Sequence, residues 1–154
     1  MKKCMIIVSV YLFFTACKSL DVQTIQQAPF ATDSIFIKDV RVHNETYSSI
    51  KNSLASHIVF YLQKNNIKAA SYFNTIYREP EFRYTATIDV FISTTGDIFN
   101  QVENISLFIS INDASTHIAS LRIVSQSYSL LESYGQAAIA KAIAKEIDAM
   151  VVKK

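Results

Sequence analysis

Few residues in this 154-residue chain have the type and spacing for chemistry, and Cys17 is the first of them. Lys2 and Lys3 precede an apolar run from Cys4 to Phe14, and the small residues Thr15 and Ala16 lead into Cys17. A basic start, a short apolar core and a small-residue end read as an export signal. The run falls well short of the roughly 20 residues that span a bilayer. Cleavage before Cys17 would place its thiol on the first residue of the exported chain. The other cysteine, Cys4, lies in the leader, so residues 18–154 hold no disulfide framework, thiolate metal site or Cys nucleophile.

The remaining candidates are weaker. Ser48-Ser49-Ile50-Lys51 has the Ser-x-x-Lys spacing of penicillin-recognising enzymes, but the companion Ser-Asp-Asn and Lys-Thr-Gly elements are missing. A solvated polar first turn is the simpler expectation. His43, His57 and His117 are isolated. Asp39, His43 and Glu45 could gather at a strand end, yet a metal site needs three or four convergent ligands, and no His-x-x-x-His spacing occurs. No phosphate loop, dinucleotide fingerprint or Gly-x-Ser-x-Gly is present. The expectation is a protein without catalytic residues, metal or cofactor, and not an enzyme. Aromatic residues offer a different chemistry. Phe91 and Phe108 fall on the polar side of their alternating segments, in company with Arg83, Thr85 and Thr87, and exposed aromatics among hydroxyls suit a partner-binding patch.

These residues need a scaffold, and composition bounds it. Removing sixteen leader residues leaves 138, enough for one domain with a real core. The fifteen basic residues lose Lys2 and Lys3, which leaves thirteen against thirteen acidic ones. A mature chain of zero formal charge speaks against nucleic-acid binding, which draws on clustered Lys and Arg. Half of the residues are hydrophobic, so disorder is not expected.

Periodicity then gives the elements. Residues 17–33, Cys17 followed by a mixed and polar stretch with Pro29, read as a flexible or extended spacer ahead of a single domain over 34–154. Residues 35–42 read as a strand. Asn44 or Thr46 can cap a helix in which Ile50, Leu54, Ile58 and Leu62 recur every four residues, with Asn65-Asn66 as its stop. Residues 67–76 are a weaker strand. Tyr84, Ala86, Ile88, Val90 and Ile92 alternate with polar residues, as do Ile105, Leu107, Ile109 and Ile111. A two-residue turn at Thr95-Gly96 would put Glu103 on the buried side, so a bulge or longer connection between 97 and 103 is expected. Residues 118–128 read as the last strand. Ser133 and Gln136 match a capping box for a helix over 137–152, whose Ala138, Ala142 and Ala149 would permit close approach to a sheet. The expected fold is α+β in the order β-α-β-β-β-β-α. It is a two-layer sandwich in which a mostly antiparallel sheet of four to five strands, its last four a meander, carries both helices on one face.

Phe14-Thr15-Ala16-Cys17 resembles the lipobox of bacterial lipoproteins, with Phe14 where Leu is commoner. The resemblance implies a diacylglyceryl group on Cys17 and usually an acylated amine as well. Two or more acyl chains anchor stably where one does not. With the strand–helix–hairpin–strand–helix pattern over about 34–152, including Pro80 to Ile88, the chain is similar to small envelope lipoproteins: auxiliary lipoproteins of ABC-type transporters, activators of penicillin-binding proteins, and the curli-secretion lipoprotein domain. That likeness implies a non-enzymatic accessory, membrane lipid held through acylated Cys17, another envelope protein as partner, and a place in the bacterial envelope. Lys18 and Ser19 are compatible with outer-membrane sorting, facing the periplasm. The alternative expectation is a small periplasmic ligand or lipid carrier with an apolar cavity between helices and sheet.

Overall fold

The computed structural model describes residues 20–27, 34–73, 79–96, 102–126 and 129–151. Within them the chain forms β1 (Leu20–Gln27), β2 (Ser34–Val42), α1 (Ile50–Lys64), β3 (Lys68–Ser71), β4 (Tyr84–Thr95), β5 (Val102–Asp113), β6 (Thr116–Ser125) and α2 (Ser133–Met150). The strands make one six-stranded sheet in the order β1-β6-β5-β4-β2-β3. The pairs β1–β6, β6–β5 and β5–β4 are antiparallel, whereas β2 is parallel to both β3 and β4. The α+β class, the largely antiparallel sheet and the two helices agree with the sequence pattern.

Period two decides which side of the sheet each residue takes. Ile35, Ile37 and Val40 of β2, Ala86, Ile88 and Val90 of β4, Ile105, Leu107, Ile109 and Ile111 of β5, and Ala119, Leu121 and Ile123 of β6 are all fully buried. They meet Leu54, Ile58 and Leu62 of α1 and Ile139, Ile143 and Ile147 of α2 in one apolar cluster. Each such Ile or Leu contributes about 1.5–3 kcal/mol by leaving water. The buried alanines of α2 are Ala140 and Ala144, in step with Ile139, Ile143 and Ile147, rather than Ala138, Ala142 and Ala149.

Asn65-Asn66 stops α1 as expected. Asn66 takes φ 62°, while Asn66 N–H donates to Gln63 O and Ile67 N–H to Leu62 O, which satisfies carbonyls of the last turn. Asn44 caps a single 3-10 turn, Glu45–Tyr47, by accepting from Thr46 N–H, and α1 begins only at Ile50. The capping box is not formed. Glu132 takes the cap position of α2 without a side-chain bond, and Gln136 is used elsewhere.

Three further differences have physical causes. Leu20–Gln27 is an edge strand on β6 and not a spacer; Leu20, Val22 and Thr24 alternate with Asp21 and Gln23 until the register slips between Thr24 and Gln26. The last four expected strands are not a meander. α1 carries the chain back parallel to β2, so β3 lies on the outer side of β2 and β4 on the inner. The connection between β4 and β5 is the longer one expected, with Thr95 opposite Val102. Glu103 nevertheless stays on the helix side, because nothing between it and Ile105 interrupts the alternation.

Candidate functional site

The sheet face away from the helices is the surface on which Phe91 and Phe108 stand. They are 43% and 37% exposed, and their rings meet edge to face at 5.8 Å. His43, just past β2, stacks flat on Phe91 at 4.3 Å, and its Nε2 lies 2.8 Å from Asp89 Oδ1. The Arg122 guanidinium, reaching over from β6, covers Phe108 at 5.7 Å, while its Nε is buried with no hydrogen-bond partner among the described residues. The strand order thus lines up His43, Phe91, Phe108 and Arg122 across β2, β4, β5 and β6. Such a row combines apolar area with a cation and a carboxylate, a composition that serves protein contacts.

The structure brings together only part of the patch expected from sequence. Phe91 and Phe108 adjoin, and Thr87, half-buried opposite Ser110, shares their face. Thr85 is only 7% exposed and lies toward the far end of β4 with Arg83. There Arg83 donates to Asp113 Oδ2 at 2.6 and 2.9 Å and stacks over Tyr84. Arg83, Thr85, Phe82, Glu79, Asp113 and Ala114 line an open depression of about 400 Å³. Its floor is apolar, since Phe82 also packs on Phe36 and Ala70. Asp89, two residues before Phe91 on β4, shares its face by alternation. His43 and Arg122 also belong to the Phe91 group although spacing along the chain does not reveal them, and only strand pairing makes these two its neighbours.

The suspected gathering of Asp39, His43 and Glu45 does not form: Asp39 accepts from Arg41, and His43 turns to Asp89. Among the described residues, no three His, Cys, Asp or Glu side chains gather closely enough to hold a metal ion. Ser48 sits in the turn before α1 and offers its carbonyl to Lys51 N–H. Cys17 lies outside the described residues.

A second polar constellation closes the opposite corner of the sheet. Glu103 Oε1 accepts from Tyr47 Oη and Ser129 Oγ, both at 3.1 Å, and Oε2 accepts from Leu130 N–H at 3.2 Å. Burial first, and then this bond, hold the Tyr47 phenol above its usual pKa. Gln136 donates to Leu130 O at 2.7 Å and accepts from Ser53 Oγ at 2.6 Å. These bonds fasten the loop before α2 to both helices and to β5. A half-buried carboxylate is tolerable here because three donors replace its water.

The class of protein is therefore a two-layer α+β domain with one helix-covered and one open sheet face. Solved structures share it. A PelC dodecamer from Paraburkholderia phytofirmans matches with a TM-score of 0.62 at 16% identity, over 88% of this chain and 100% of that one. A point variant of the same PelC, also a dodecamer, matches at 0.61 and 15% with the same coverage. At such identity the likeness is one of fold. No protein-family model matches the chain, and no curated protein does.

Proposed function

We propose that this protein is a lipid-anchored, non-enzymatic accessory of the bacterial cell envelope. It acts through protein contacts, copies of itself among them. The observation that carries the reading is Cys17, set directly behind Thr15-Ala16 and a short apolar run with a basic start. The fold likeness supports self-association, because the similar PelC structures are dodecamers. An isologous contact closes at two copies, so a larger assembly needs a heterologous surface or two different ones. The Phe91–Phe108 row on the open sheet face supplies one such surface. The layer between helices and sheet is filled by Ile88, Ile109, Leu121, Ile143 and Ile147 without exposure, which favours an accessory over the carrier alternative.

Metabolic labelling with a palmitate analogue tests the anchor. Label should enter the full-length protein, and Cys17→Ser should abolish both label and membrane retention; an unlabelled wild-type product would overturn the reading. Native mass spectrometry of the extracted protein tests the contacts. Multimers or a defined complex are expected, whereas a protein that stays monomeric and carries a lipid in its interior would favour the carrier.

A further inference from the structure

We infer that the domain does not stand off the bilayer but rests on it, with Val102, Leu131 and Tyr134 seated in an uncharged lipid interface. The inference depends on the lipid anchor at Cys17 proposed above.

The argument begins with chain length. β1 starts at Leu20, whose backbone is fixed opposite Ser125. Three Cα–Cα steps of 3.8 Å separate Leu20 from Cys17, so the anchor lies within about 11 Å of that end of the sheet. The pairing then identifies the residues at the same end. Ser125 also faces Ile105, and Ile105 faces Ile92; three residues further out stand Val102 and Thr95. The loop before α2 is held at this end, because Glu103 grips Ser129 and Leu130 and Gln136 grips the Leu130 carbonyl.

Val102, Leu131 and Tyr134 are 43%, 56% and 54% exposed. They are three of the seven large apolar side chains exposed among the described residues, and they share the end that the anchor must approach. A tyrosine and aliphatic side chains exposed at one end of a domain have the composition of a membrane-interface contact. The charges point the same way. Glu45 and Glu132 balance Lys18 and Lys51 at this end, Glu103 being engaged by Tyr47, Ser129 and Leu130, so the surface has no basic excess to draw anionic lipid.

The chain contains no Trp, so one introduced Trp reports alone. The acylated full-length protein is placed in phosphatidylcholine vesicles with brominated acyl chains. Tyr134→Trp should be quenched at least twofold more strongly than Tyr72→Trp. Tyr72 is tied to Ile37, opposite Ala86, about six strand residues or roughly 20 Å from the level of Ile92. Leu131→Trp should repeat the Tyr134→Trp result. Equal quenching of the Tyr134→Trp and Tyr72→Trp variants, in chains whose mass shows the Cys17 lipid, overturns the seating and leaves the anchor standing. A mass without the lipid overturns both. Quenching that appears only when anionic lipid is added overturns the apolar contact.

Discussion

At the scale of single residues, the most consequential side chain is Glu103, which alternation alone would count as an error. It is an acid on the core side of a strand, made acceptable by Tyr47, Ser129 and Leu130. Glu103→Ala strands two hydroxyls and an amide, and should cost at least about 2–3 kcal/mol in urea unfolding, the worth of a single bond to a charged group at roughly 1.5–3 kcal/mol, because the half-buried hydroxyls regain water. Tyr47 adds a pH dependence. Its folded pKa is raised, so the neutral form is favoured in the native state. That contribution is complete below about pH 10 and is lost as pH rises through the higher folded value. Thermal stability should therefore fall in strong alkali, and Tyr47→Phe should flatten the fall. Ala114 in the β5–β6 turn has φ 52°, where a Cβ is unfavourable. Ala114→Gly should raise stability by up to about 1 kcal/mol in the same assay, the relief of left-handed strain outweighing the extra chain entropy.

At the scale of elements, α2 and β1 depend on contacts far away in sequence. Gly135, buried in the first turn of α2, faces the Ser129 carbonyl, and a Cβ there would collide with that oxygen. Gly135→Ala should cost at least about 2 kcal/mol, because the obstacle is backbone held by Glu103 and Gln136 and cannot swing aside. β1 covers the outer side of β6 over seven paired residues from Leu20 to Gln27. Deleting residues 20–27 leaves that row of N–H and C=O groups as an open edge. Hydrogen exchange should then accelerate in residues 119–125 while α1 keeps its protection, and the truncated protein should aggregate more readily.

At the scale of the whole molecule, the open face and the anchored end are separate surfaces with separate tests. The Phe91→Asp and Phe108→Asp double variant alters residues that are partly exposed and outside the main core, so it should fold with a Tm within a few degrees of wild type. Its multimers should dissociate on native mass spectrometry, with membrane retention unchanged. A double variant that folds and keeps every native partner would remove the open face from the proposed function.

Most of the fold was legible in the chain because period two and period 3.6 are local properties. Tyr84 to Ile92, Ile105 to Ile111 and the Ile50–Leu62 stripe declared their faces, and Asn65-Asn66 its stop, without knowledge of any neighbour. The charge balance of residues 17–154 was equally readable, because Lys2 and Lys3 account for the whole net charge of the chain. What the local pattern could not decide was pairing. The expected spacer became β1 because its backbone found an unpaired edge on β6, and Lys68–Ser71, within the expected weaker strand, became an outer strand because α1 returns the chain parallel to β2. The same holds for the surface. Phe91 and Phe108 were visible as aromatics out of phase with their strands, and Asp89 shares the face of Phe91 by alternation, but His43 and Arg122 joined them only through strand order. Arg83 and Thr85 left the group because they lie further along β4 than side chains can reach. Alternation tells a residue which side of a sheet it occupies; only the assembled sheet determines who stands beside it.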